Sequence, residues 1–420
     1  MTLDRPRVTS LALGLFGVAV ALLALGCESF APSTAGPFTS SLPAPASGPP
    51  SLGIDWARVA SVDRPINNEA TVAPDYPGNH PILRIQGQAT MSDIVGLSGG
   101  GFVAVGYAPP DWVPVSWTSS NGSDWTIHSI EPSAFTFPVS LAVGPTGTLS
   151  AVGRSGHMPV AWTSTDGAVW DRHSVPVLGD DGVAERMTAV TAGPHGFVAG
   201  GSVGPELFER RARFWSSADG VTWTPVPDDP IAFTNAEVRA ITPFEDGFVA
   251  VGIVGTAQDH TGAVAWTSPD GVTWTRIDDP AFDGGEAVAI VRAPFGGLVA
   301  VGSQVDRRMA LAWTSPDGRT WIRAPGESSR QHEGGFAWMT DVVAIDDIVI
   351  GVGTVQGLQR GTAMSWVSRD GVSWERSNTH PVQEGAEFYA IAPGGPGALV
   401  VGAFGAPDSY VPEVWISPGR

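Results

Sequence analysis

The chain has 420 residues with 42 acidic and 23 basic side chains and a formal charge of −19, and every fixed cation is Arg because no Lys occurs. That balance excludes a nucleic-acid surface, which needs clustered cations to displace phosphate counterions. The single Cys excludes an intramolecular disulfide and a Cys-based zinc cluster. With 53 Gly, 36 Pro and 16 Trp, and no long stretch of helical apolar period, the chain reads as short strands joined by tight turns.

The first element in chain order is a leader. Arg5 and Arg7 precede the apolar run "LALGLFGVAVALLAL" at 11–25, which is followed by Gly26 and Cys27. That run falls short of the ~20 residues a membrane span needs but fits a signal-peptide core. "LALGC" at 23–27 resembles the lipobox of bacterial lipoproteins, which implies removal of 1–26 and lipid on Cys27. An uncleaved N-terminal anchor is the competing reading. Residues 27–50, rich in Ser, Pro and Ala, bury too little apolar surface to fold and read as a tether. Loss of Asp4, Arg5 and Arg7 with the leader brings the charge to −20. The expected product is an acidic body outside the cytoplasm, anchored to the membrane of the cell envelope.

Residues 51–420 are expected to form one domain. From 91 onward a unit of roughly 45–53 residues returns, the spacing of propeller blades. Its first strand is written "MSDIV", "MTAVT", "VRAIT", "AVAIV", "MTDVV" or "FYAIA", and its second "GFVAVG" or a close variant. A third strand carries Trp117, Trp162, Trp215, Trp266, Trp313, Trp366 or Trp415, and a Gly turn then leads to Trp125, Trp170, Trp223, Trp274, Trp321 or Trp374. Seven openings thus meet six closings, and the chain stops on "VWISPGR". The seventh closing is "SLGIDWARV" at 51–59, whose Trp56 and Arg58 match "TWTRI" and "SWERS". A ring of blades removes its open edges by pairing the first strand with the last blade. The expected fold is therefore an all-β, seven-bladed propeller of four-stranded antiparallel blades, the last closed by the N-terminal strand. "SPDG" supplies the turn chemistry: Pro fixes φ and Gly accepts positive φ. Trp112 and Trp338 stand outside the repeat.

The repeated turn resembles the Asp-box, the bacterial neuraminidase repeat of sialidase-like and other propellers. The matching aspartates are Asp166, Asp219, Asp270, Asp317 and Asp370, each before a Gly with Trp three residues further on. Asn121 replaces the Asp in the first blade. The resemblance implies a propeller and places these turns on the face away from any catalytic centre.

"GLSGG" at 96–100 has the Gly-x-Ser-x-Gly spacing but occupies an inter-strand turn with no following helix, so Ser98 is not read as a nucleophile. The eight His show no ligand spacing, and neither metal nor cofactor is expected. The pairs Asp180-Asp181, Asp228-Asp229 and Asp278-Asp279 read as solvated loop charge. Arg58, Arg172, Arg276, Arg323 and Arg376 recur two residues after the second Trp and read as blade-edge packing. Arg154, Arg211, Arg239, Arg308 and Arg360 fall on the opposite, loop-bearing face and are the candidates for binding an anionic or polyol ligand. The competing account is that they neutralise nearby acids. The sialidase resemblance implies a different use of that face: Tyr389 as nucleophile with Glu387, Asp93 as acid, and Arg84 and Arg239 on a substrate carboxylate. The functional expectation is a non-catalytic binding or assembly module for an acidic glycan or an envelope protein partner; the alternative is a sialidase-like glycoside hydrolase.

Overall fold

The computed structural model describes residues 54, 56–58 and 89–417, with breaks at 110, 178–182, 205–209, 257–258, 307–308, 326–334, 357–360, 377–384, 396 and 406–410. Cys27, Arg84, Arg308 and Arg360 lie outside the described residues.

Seven four-stranded antiparallel sheets follow one another along the chain. Six are continuous: 90–129 (β2–β5), 136–174 (β6–β9), 185–225 (β10–β13), 236–277 (β14–β17), 285–323 (β18–β21) and 336–376 (β22–β25). The seventh takes β26–β28 from 386–417 and its outer strand from β1 (Ala57–Arg58). In that pairing Arg58 lies opposite Trp415 and Ala57 opposite Ile416. The same Arg–Trp register appears as Arg172–Trp162, Arg276–Trp266, Arg323–Trp313 and Arg376–Trp366. β1 therefore completes the seventh blade in the register used elsewhere, as the repeat arithmetic requires. The inner strand of each blade packs on those of both neighbours, and the contact of the last with the first closes the ring. Among the described residues the only helix is the short 3-10 turn Pro280–Phe282.

Tryptophan makes the core. Those of the third strands are between 0 and 4% exposed and pack between their own blade and the preceding one. Each second-series indole N–H donates to the Gly carbonyl of its own turn, at 2.9 to 3.2 Å. Trp56 fills the corresponding place in the seventh blade, donating to Ser365 Oγ at 2.9 Å just as Trp170 reaches Ser116 Oγ at 3.1 Å. In the turns, Ala168 and Val169 donate their N–H groups to Asp166 Oδ1, and the residues after Asp219, Asp270, Asp317 and Asp370 repeat this. These backbone bonds hold the carboxyls of Asp166, Asp219 and Asp317 below the usual range; at Asp270 and Asp370 burial opposes them and is outweighed. Asn121 Oδ1 accepts the corresponding bonds from Ser123 and Asp124, so the first blade differs in charge and keeps the geometry.

The inner strands are β2 (Thr90–Gly96), β6 (Thr136–Val143), β10 (Glu185–Gly193), β14 (Ala236–Phe244), β18 (Gly285–Arg292), β22 (Phe336–Ile345) and β26 (Ala386–Gly394). All seven carry a β-bulge at one equivalent residue: Ser92, Val139, Thr188, Arg239, Val288, Thr340 and Tyr389. A bulge bends the strand and re-aims a side chain. Here it also explains the Gly that ends each "VAVG". A Cβ on Gly106, Gly153, Gly201, Gly252, Gly302, Gly353 or Gly402 would lie 1.9 to 2.1 Å from a carbonyl oxygen that the bulge pushes toward it. No side chain fits there.

Candidate functional site

Because strands alternate in direction, the starts of the inner strands and the connections between second and third strands share one face. The Ser-x-Asp-Gly turns lie on the other. The seven bulges come early in the inner strands, so their residues ring the axis near the first of these faces. Arg239 belongs to the fourth blade and Tyr389 to the seventh, which puts them on opposite sides of this ring.

On the Arg239 side three guanidiniums converge on one buried carboxylate. Arg210 bonds to Glu237 Oε2, while Arg186 and Arg239 stand 3.7 and 3.6 Å from its oxygens. Burial alone would raise the pKa of Glu237; Arg239, Arg186 and Arg210 outweigh it and hold the carboxyl below its ordinary value. Next to it, Arg213 lies 3.7 Å from the buried Glu185, and both Arg213 and Arg211 face Asp228. Among the described residues these ion pairs join five guanidiniums and three carboxylates, and the Asp229 carboxylate also feels Arg211. The Arg239 side chain keeps 36% of its surface exposed, and its Nε makes no hydrogen bond among the described residues.

Across the ring, Tyr389 Oη donates to Glu387 Oε2 at 3.0 Å. One residue past the bulges of their own blades stand Asp93 and Asp341. Both are half-buried. Asp93 accepts from the N–H groups of Ile94 and Leu141, at 2.7 and 2.8 Å, and Asp341 accepts in the same way from Val342 and Ile391. In both cases the second donor belongs to the next blade. Burial pushes Asp93 up to about 6 against these bonds. Burial together with the Asp93 charge pushes Asp341 to about 7. Ser140 accepts from Val190 N, and Thr188 and Thr340 donate to the Val238 and Phe388 carbonyls. These polar residues join neighbouring blades around the axis.

The remaining candidates are more dispersed. Arg154 lies over the Phe137 ring at 4.5 Å and donates to the Gly156 carbonyl. Two of the acidic pairs are built into loops: Asp228 faces Arg211, Asp229 accepts from Ile231 and Ala232, and Asp279 accepts from Ala281 and Trp321, while Asp180 and Asp181 lie outside the described residues. Arg172, Arg276 and Arg323 reach from outer strands to the connection entering their own blade. Glu237 was not among the sequence candidates, although a signal for it existed in the recurring "AEVRAI", "GEAVAI" and "AEFYAI", which set Glu two residues before the bulge. Among the described residues no group of three or more His, Cys, Asp or Glu is placed to hold a metal.

No family model and no curated protein matches the chain. Solved structures do. YCF48 bound to D1 peptide aligns over 80% of this chain and 94% of its own, with a TM-score of 0.51 and 15% identity. Trypanosoma rangeli sialidase aligns over 79% of this chain and 55% of its own, at 0.48 and 13%. The Myceliophteria thermophila Cps50 (Swd1) propeller domain aligns over 78% and 96%, also at 0.48 and 13%. At these identities the likeness is one of fold.

Proposed function

We propose that this chain is a non-catalytic binding module, carried outside the cytoplasm on lipid at Cys27, whose axial mouth takes an anionic group. The observation that carries this reading is Arg239. It stands on an inner strand, its side chain keeps 36% of its surface exposed, and two further guanidiniums share Glu237 with it. Glu237 holds the guanidinium in place and leaves part of its fork for an incoming carboxylate, phosphate or sulfate. In a body of net charge −19 such a cluster offsets the general repulsion of an anion. The anion would come from an acidic glycan or from a protein partner; the YCF48 structure with a bound D1 peptide is an instance of a propeller that holds a peptide.

The test is binding of the purified protein to an array of acidic and neutral glycans and to acidic peptides, with Arg239→Gln beside it. The expected result is a loss of acidic ligands of tenfold or more, with melting lowered by only a few degrees because Arg186 and Arg210 still hold Glu237. Binding that survives in Arg239→Gln overturns the reading.

One observation favours the hydrolase alternative, the Tyr389–Glu387 hydrogen bond. Against it, Asp93, the acid that this reading requires, is engaged by two backbone N–H groups. Release of product from a fluorogenic sialoside by wild type, abolished in Tyr389→Phe, would establish the hydrolase instead.

A further inference from the structure

A second feature of the loop face lies away from the arginine cluster, on the first two blades. Trp112 and Phe135 are both exposed, at 40 and 60%, and both have left-handed backbone, with φ of 55° and 53°. For bulky residues this is a genuine outlier. Three of the five other described positions four residues before a bulge, Asn235, Gly284 and Gly385, also have positive φ, while Ala184 and Phe336 do not. Each of the four with positive φ gives its carbonyl to the corresponding N–H of the adjacent connection, from Gly156, Gly255, Val305 and Gly405. Asn and Gly accept that conformation readily; Phe does not. The first two blades therefore keep two aromatic rings in the open at a cost in backbone strain, which is a pattern of functional sites.

The loops that carry the rings are tied together. Phe135 N donates to the Asp111 carbonyl and Thr136 N to that of Trp112, at 2.8 and 3.0 Å. Tyr107 and Phe137 support the Trp112 ring with centroids 5.6 and 6.4 Å away. Met158, 48% exposed, stands two residues past Gly156 in the same hairpin. Asp111 is exposed next to Trp112 in the chain, and the Arg154 guanidinium lies over the Phe137 ring.

We propose that this shelf binds a sugar, with the apolar C–H face of a pyranose ring stacked on Trp112. Size excludes a stable protein interface. At roughly 150–250 Å² for an aromatic side chain, the exposed fractions of Trp112 and Phe135 together come to roughly 150–250 Å². A standard protein interface needs about 800 Å² per partner. An extended peptide would need unpaired backbone to bind by strand addition. Here the backbone groups of Phe135, Thr136 and Gly156 already bond to one another's loops. A sugar ring needs only a rigid aromatic plane, with the Asp111 carboxylate to accept from hydroxyls and the Arg154 guanidinium to donate to them.

The experiment uses an array of hexose, N-acetylhexosamine and uronic-acid oligosaccharides, followed by titration of intrinsic Trp fluorescence with any sugar retained. Trp112→Gly and Phe135→Asn should each weaken binding at least tenfold while the melting temperature holds or rises, because each relieves a left-handed bulky residue. Opposite signs in binding and stability cannot come from simple unfolding. Arg239→Gln should leave this binding intact, which separates the shelf from the axial mouth. An array on which nothing is retained, a retained sugar held equally by both shelf variants, or loss in Arg239→Gln alone would each overturn the proposal.

Discussion

Asp93 and Asp341 accept two backbone N–H bonds each, and their pKa values are nevertheless raised to about 6 and about 7. Desolvation outweighs the bonds, and the second carboxyl also feels the charge of the first. In the folded state both groups hold their protons to higher pH than in the unfolded chain, where Asp titrates near 4. Stability should therefore fall as pH rises from about 4 through about 7 and then level off, by an amount on the order of a few kcal/mol. Melting temperature measured across pH 5 to 8 should decline in wild type. In Asp93→Asn/Asp341→Asn that slope should flatten, even though each amide forfeits one N–H acceptor at every pH. Glu237 is the opposite case, an ionised buried acid held by cations. Glu237→Gln leaves three guanidiniums facing one another and should cost about 3–5 kcal/mol in urea denaturation.

At the scale of the element, the bulge and its facing Gly form one device repeated in every blade. Gly252→Ala would set a methyl 2.0 Å from the Glu237 carbonyl oxygen, so the bulge must move and carry Arg239 with it. We expect a loss of several kcal/mol together with weaker anion binding, measured by melting and by the glycan array. The Ser-x-Asp-Gly turns are more forgiving, because Asn121 makes the bonds that Asp219 makes. Asp219→Asn should cost less than about 1 kcal/mol and Asp219→Ala about 1–2 kcal/mol. Much of this was legible in the sequence: Trp spacing gave the blades, and "SPDG" gave the turns. The bulges were not: an inserted residue interrupts a strand's two-residue alternation, as in the burial pattern of Glu185–Gly193, but one slip within nine residues does not single out its position. Their trace is the Gly of the neighbouring strand, a signal readable only once the pairing is known.

For the whole molecule, the count of seven followed from matching an unfinished last motif to Trp56, and the register Arg58–Trp415 bears that match out. Trp56→Ala should remove an indole packed against Phe388 and bonded to Ser365, and lower stability by about 3–5 kcal/mol. Guanidinium denaturation of that variant would measure it; a cost under 1 kcal/mol would mean that the ring does not depend on its closing strand. The candidate site was harder to foresee. Arg239, Glu387 and Tyr389 stood out as residue types on the right face, but the partner that occupies the arginines, Glu237, sits on the same strand as Arg239 and reads locally as an ordinary strand acid. Trp112 and Phe135 gave no sequence signal of exposure, because it is their backbone conformation that turns them outward.

The seam of the ring also sets where the protein is mechanically weak. β1 is a two-residue strand at the edge of the last blade and pairs only with β28 among the described residues. Tension applied at the N-terminal side should peel β1 from β28 (Val411–Ser417) and free Trp56 while the other blades keep all four of their own strands. The ring would open like a clasp, at low force and reversibly, with its continuous blades still intact behind it.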